Sequence, residues 1–306
     1  MCLLLLDYIK CIFKKKDVMK KLLLLLSVSV LLSVATLSAA QEIPLLVPAG
    51  PTGSRAIISN FLVPELNKKG WNIKIQATGN CANANGILES STGPVLTAWD
   101  NKELAAKTGP CVRGAPSESD LVGIWYYSPD FLCRVGTQPD ITKATGKVRL
   151  SIQSYYQQVG ADQAVLNSIA KASSAEVRPV VYTNSGAQST GAAANEFEYV
   201  LGSIGKKLEG SKIATCDYNT GTTEFEGTRP LGAALGQNVQ SYMLVYMFGK
   251  NFSAEQMKKL RQDYLELANS PQFAQYMNER KYQTDMVRKP IADQVRFIQS
   301  TLNAAK

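Results

Sequence analysis

Apolar and polar positions beyond residue 42 alternate between two rhythms. IPLLVPAG at 43–50 is a short apolar run closed by proline and glycine, which predicts a buried strand. PTGS then turns the chain. RAIISNFLVPELNKKG follows with Ile57, Ile58, Phe61, Leu62 and Leu66 at helical spacing, and Gly70 as the stop. WNIKIQATGN alternates as a strand does and ends in a Gly-Asn turn. VLTAW at 95–99, LVGIWYY at 121–127 and FLCRVG at 131–136 read as further strands.

The series then restarts. KVRLSIQ at 147–153 predicts a strand, DQAVLNSIAKAS at 162–173 a helix, and VRPVVYTN at 177–184 a strand. SGAQSTGAAANEF at 185–197 has the spacing of a tight loop and a helix N-terminus. That helix would bring Phe197, Val200, Leu201 and Ile204 to one face. KIATCDYN at 212–219 is one more strand. Near the C-terminus, Ser253 and Gln256 have the spacing of a capping box before MKKLRQDYLELA. Ser270-Pro271 ends that helix and opens the next. Strands alternating with helices predict an α/β class with mostly parallel sheets.

The first forty residues change the picture of where the protein works. From Met19 a basic pair, an apolar stretch over 22–37 and SAA at 38–40 have the order of a signal peptide cleaved after Ala40. The stretch is short for a membrane anchor, which needs about 20 apolar residues. MKKLLLLL makes Met19 the better initiator, so residues 1–18 read as an upstream, misassigned start. Removing 1–40 lowers the net charge from +8 to +4. No basic stripe with interleaved aromatics is visible, so nucleic acid is not an expected partner.

Four cysteines remain, Cys81, Cys111, Cys133 and Cys216. Export favours disulfides, and the spacings do not resemble a zinc site. The chain holds no histidine, which excludes Ser-His-Asp and Cys-His catalysis and histidine-ligated metals. Glu196/Glu198 and Glu224/Glu226 are simple i, i+2 pairs of surface character. No metal or cofactor is expected.

Several segments fall in a familiar order: the first strand with its Pro/Gly turn and helix, ATGNCANANG, TNSGAQST, CDYNTGT, LGAALGQNVQ, and the serine-capped C-terminus with NSPQF. In this order the chain resembles the periplasmic receptors of tripartite tricarboxylate transporters, the Bug-type solute-binding proteins. The resemblance spans 43–306 loosely. The family's Tyr-Lys-Gly corresponds to Tyr218-Asn219-Thr220. Its Gly-Gly-Gln-Val-Asp corresponds to the run from Leu235 to Gln240, with an amide in place of the acid, and its Asn-Arg-Pro-Gly loop to Gln76-Ala77-Thr78-Gly79. The first-helix aspartate common in the family falls at Ala56.

The resemblance implies a type II periplasmic binding protein fold: two Rossmann-like lobes with a ligand cleft between them. Lobe 1 is expected over 41–136 plus 240–306 and lobe 2 over 137–239, with crossings near Gly136 and Gln240. It implies a small carboxylate as ligand, membrane transporter subunits as partners, a monomer in the periplasm, and no enzymatic activity. Backbone N–H groups at two helix N-termini would hold the anion, since a helix start carries roughly half a positive charge. On the first lobe the candidates are Gly50, Thr52, Gly53, Ser54 and Arg55. Arg55 opposes the helix dipole there, so it either meets an anionic ligand or reaches away exposed. Asn80 and Asn83 either cap their loop or touch the ligand. Ser185, Gly186, Gln188 and Ser189 form the expected second half of the clamp. Tyr218 would close over the ligand and Thr97 line the floor, or both pack. At least one disulfide is expected, Cys81–Cys111 first, because both flank loops of the first lobe. A secreted enzyme using a cysteine or carboxylate is the alternative, and so is a stand-alone scavenger or sensor.

Overall fold

A computed structural model describes residues 41–49, 53–101, 115–153, 162–182 and 185–304. The first sheet has five strands in the order β2-β1-β3-β11-β4. They are β1 (Ile43–Val47), β2 (Ile73–Ala77), β3 (Val95–Asp100), β4 (Leu121–Pro129) and β11 (Tyr242–Lys250). The second has six in the order β10-β9-β5-β8-β6-β7. They are β5 (Phe131–Val135), β6 (Thr145–Gln153), β7 (Ser174–Tyr182), β8 (Tyr199–Gly202), β9 (Ala214–Asn219) and β10 (Arg229–Pro230). β11 runs antiparallel to its neighbours β3 and β4, and β5 antiparallel to β8 and β9, while the other pairings are parallel. The mostly parallel expectation therefore matches the described strands.

Helices follow the strands as the apolar spacing predicts. They are α1 (Ser54–Lys68), α2 (Cys81–Ser90), α3 (Gln163–Ala172), α4 (Ser185–Ala193), α5 (Gly205–Gly210), α6 (Leu231–Leu235), α7 (Ala254–Ala268), α8 (Pro271–Asn278) and α9 (Ile291–Ala304). At α7 the Ser253 side chain accepts from Gln256 N–H and the Gln256 side chain accepts from Ser253 N–H, completing the capping box. Ser270 caps α8, with Pro271 in its first turn. Ile58, Leu62 and Leu66 of α1 and Leu260, Tyr264 and Leu267 of α7 are buried in one cluster with the first sheet. Successive residues of β5 go to opposite faces of the second sheet, so Leu132 joins one cluster and Phe131 and Cys133 another.

Three sequence expectations need correction. The helix from 185 does not reach 204. It stops at Ala193, Asn195 turns the chain with φ of 55°, and Val200 and Leu201 belong to β8. All four residues of β8 are buried, and a run buried on both faces carries no period that separates strand from helix. The second correction concerns the first crossing. The chain passes between sheets at Asp130, where β4 ends and β5 begins, rather than near Gly136. Ser128-Pro129-Asp130 is all that separates the apolar runs of β4 and β5, and no glycine marks the change. Third, β11 completes the first sheet between β3 and β4 from a segment that the sequence reading left unassigned.

The chain returns to the first sheet at Ser241. Thr220 ties the two crossings together. Its N–H donates to Asp130 O at 2.9 Å, its Oγ1 accepts from Asp130 N–H at 2.9 Å, and it donates to Ser241 O. Ser241 N–H donates to Thr220 O, and Ser241 Oγ to an Asp130 carboxylate oxygen at 3.2 Å. All three residues are buried. Within the second sheet, Cys133 of β5 and Cys216 of β9 are paired partners and form a disulfide. Cys81 is disulfide-bonded as well. Cys111 lies outside the described residues, so the expected Cys81–Cys111 pairing does too.

Candidate functional site

Strand directions place two helix starts. β4 delivers its C-terminal end to the crossing, and β1 and β3 run in the same sense as β4, because β3 and β4 flank antiparallel β11. In the second sheet β5 leaves the crossing at Phe131, opposite Gly202 and Asn219 at the C-terminal ends of β8 and β9. β6 and β7 run parallel to β8. The C-terminal edges of both sheets therefore border the crossing. α1 starts beyond the end of β1, and α4 beyond the end of β7. In open α/β sheets such carboxyl edges are where ligands bind.

At α1 the N-cap is Gly53, extended at φ −71° and ψ 152°, and without a side chain to cap the helix. The first intrahelical bond runs from Ile57 N–H to Gly53 O, so the backbone N–H groups of the first turn from Ser54 point out of the helix start. Ser54 Oγ accepts from Tyr126 Oη at 3.1 Å. Tyr126 stacks on Tyr282 with centroids 3.9 Å apart. Burial pushes both phenols above their ordinary range, so each is neutral and able to donate. Arg55 does not reach into solvent. It is 2% exposed, donates to Pro48 O at 2.5 Å, and pairs with Asp100 at 3.5 Å. The cation that opposes the helix dipole is thereby met by a carboxylate at the end of β3. Gly50 and Thr52 lie outside the described residues.

The next helix start is closed in part by its own residues. Asn80 Oδ1 accepts from Asn83 N–H at 2.9 Å, and Asn83 Nδ2 donates to Thr78 O at 3.0 Å. Of the two roles weighed for this pair, loop capping is the one these bonds describe. Thr97 is fully buried in mid-strand opposite Leu46, and its hydroxyl has no hydrogen-bond partner among the described residues.

On the second sheet Ser185 opens α4 and Gly186 is exposed in its first turn. Gln188 is fully buried, with Nε2 donating to Ser151 Oγ on β6 at 2.8 Å. Gln188 Oε1 and Ser189 Oγ are buried without a hydrogen-bond partner among the described residues. Buried polar atoms are nearly always paired in folded proteins, so unpaired ones near a helix start mark a place where another polar group fits. Tyr218 packs instead of closing over a cleft. It is 3% exposed, donates to Asp140 at 2.7 Å, accepts from Arg229 at 3.2 Å, and belongs to a core cluster of the second sheet. Burial would raise the Asp140 carboxyl, but hydrogen bonds from Tyr218 and Thr142 and the nearby Arg229 outweigh it and hold it below the usual range. Sequence reasoning missed Tyr126, Tyr282 and Asp100. Tyr126 sits in an ordinary apolar strand run and Tyr282 in a polar stretch far along the chain, and only the fold brings them to Ser54.

No group of three histidine, cysteine or acidic residues that could hold a metal occurs among the described residues. None of the described helices is long and apolar enough to cross a membrane.

Together, two α/β sheets joined by two adjacent crossings, with helix starts on the bordering edges, define the type II periplasmic binding protein fold. Solved structures of that kind superpose on the chain. MatC from Rhodopseudomonas palustris with bound malate matches with a TM-score of 0.68 at 9% identity, covering 87% of this chain and 100% of that one. Rpa4515 from R. palustris with adipate matches at 0.68 and 11%, covering 87% and 95%. The periplasmic binding protein BugD matches at 0.64 and 10%, covering 88% and 98%. Bug- and TctC-type receptors are thus among the structural neighbours, in agreement with the sequence resemblance. No family model and no curated protein matches the sequence.

Proposed function

We propose that the chain is an exported Bug-type solute receptor that captures a small mono- or dicarboxylate between two lobes. The lobes are the first sheet with its helices, 43–129 plus 242–304, and the second sheet with its helices, 131–240. The receptor works as a periplasmic monomer after loss of residues 1–40 and presents its ligand to the membrane subunits of a tripartite tricarboxylate-type transporter. Nucleic acid has no part in this reading.

The observation that carries it is the pair of helix starts at Gly53–Ser54 and Ser185–Ser189 on the bordering carboxyl edges of the two sheets. Backbone N–H groups and small hydroxyls suit a carboxylate, and charge-assisted hydrogen bonds are about twice as strong as neutral ones. Arg55, already paired with Asp100, fixes the first helix turn from below. A ligand ammonium fits poorly. The family aspartate position is Ala56, buried in the apolar core, and the other acid is Gln240, whose amide donates to Asn238. An unpaired buried charge costs several kcal/mol.

The reading as a receptor rather than an enzyme is supported by the cysteines. Cys81, Cys133 and Cys216 are all disulfide-bonded and supply no thiolate. A thermal-shift screen of residues 41–306 tests the proposal against di- and tricarboxylates, aromatic acids and amino acids. Ligand a hundredfold above Kd adds about 2.7 kcal/mol of stability. Stabilisation by a carboxylate without its consumption is the expected result. Turnover of a carboxylate ester or peptide would favour the enzyme reading, and a gene neighbourhood without transporter subunits would favour a stand-alone scavenger or sensor.

A further inference from the structure

A cavity of about 410 Å³ opens beside the crossing, toward the C-terminal helices, and of the residues placed at the carboxylate site only Tyr282, which stacks on Tyr126, lines it. Its walls come from both sheets. Tyr127 of β4, Tyr242 of β11 and Phe297 of α9 form a three-ring cluster, with centroids 5.1 Å apart for Tyr127–Phe297, 5.8 Å for Tyr127–Tyr242 and 6.3 Å for Tyr242–Phe297. Phe225, from the loop after β9, lines the other side and is held there by stacking on Phe131 at 5.9 Å. Tyr282 contributes a fifth ring.

Among the described residues Asp285 is the one charged residue in this lining. Its Oδ1 accepts from Tyr127 Oη at 2.5 Å, which fixes the carboxylate beside the rings. The nearby Lys281 is taken up by Glu226 at 3.8 Å, from the same loop as Phe225. A carboxylate would meet Asp285 here with no basic residue in the lining to offset it. A cation finds the opposite: aromatic side chains, whose quadrupoles attract positive charge, and a negative group held by Tyr127. The geometry points to a second binding site in this cavity, for a small organic cation such as a quaternary ammonium or a protonated amine. The site has the reverse charge preference of the carboxylate cleft and does not depend on that cleft's assignment.

Choline is a suitable probe, with its uncharged carbon isostere, in which a tert-butyl group replaces the trimethylammonium, as control. Calorimetry on residues 41–306 is expected to show saturable choline binding, and the isostere about tenfold weaker or worse. Asp285→Asn preserves a partner for Tyr127 and is expected to weaken choline by about tenfold at an unchanged melting temperature. Phe225→Ala, on the opposite wall, is expected to weaken it several-fold and serves if Asp285→Asn fails to fold. Neither change is expected to alter carboxylate binding. Absence of saturable choline binding, equal binding of the isostere, indifference to both substitutions, or displacement of choline by a carboxylate would each overturn the site.

Discussion

Replacing both Cys133 and Cys216 with alanine removes a cross-link between β5 and β9 that closes a loop of 83 residues. In the chain-entropy model a loop of that length contributes about 4.5 kcal/mol by restricting the unfolded chain. Both side chains are buried, and Gly205 packs so closely on the two sulfurs that a Cβ there would sit 2.3 Å from Cys133 Sγ. The sulfurs fill this packed space, so truncation to alanine adds a packing loss to the cross-link term. For a domain of this size each kcal/mol moves the midpoint by about 2–4 °C, so the melting temperature should fall by about 9–18 °C. Thermal unfolding of the oxidised double variant and wild type, followed by near-ultraviolet circular dichroism, measures this directly. Neither cysteine lies at a helix start, so carboxylate affinity at a temperature where both proteins are folded should be unchanged. A fall of less than about 3 °C would refute the assignment of this bridge as a main tie of the second sheet.

Thr220→Val removes the hydroxyl that serves Asp130 N–H and Ser241 O, and is expected to cost about 1–3 kcal/mol in urea unfolding. Equal stability of the variant would mean that the crossings are not held through Thr220. Asp140 is depressed in the folded state, so its contribution is present above its ordinary value and is lost as pH falls through the lower folded value. Asp140→Asn should therefore be less stable than wild type at neutral pH, with the gap closing at strongly acid pH. A gap that stays constant across an acid titration of melting temperature would contradict this. Gly186→Leu, at an exposed first-turn position, should abolish carboxylate binding while changing stability by no more than about 0.5 kcal/mol, as titration and melting of the same sample would show.

Local signals were enough for much of the fold. Strand runs such as 121–127 and 147–153, the Ser253–Gln256 box and the Ser270-Pro271 start lie where their patterns place them, because each depends on neighbours in sequence. β8 was misread because burial on both faces erases its period, and the crossing at Asp130 because one buried polar residue separates two apolar strands. The candidate site divides in the same way. Gly53–Ser54 and Ser185–Ser189 were legible as strand–loop–helix starts. Arg55 was visible as an anomaly, yet its partner Asp100 comes from another strand, and Tyr126 and Tyr282 reach Ser54 only through tertiary packing. For Tyr218 the motif order left closing over a ligand and packing both open, and its hydroxyl bond to Asp140 and place in a core cluster describe packing.

Isothermal titration of residues 41–306 against simple mono- and dicarboxylates, with amino acids and polyamines titrated in parallel, tests the central claim. The account predicts saturable one-to-one binding of at least one carboxylate that lacks an ammonium group, lost in Gly186→Leu. Tight binding of an amino acid in the same cleft, with no heat from any simple carboxylate, would contradict it.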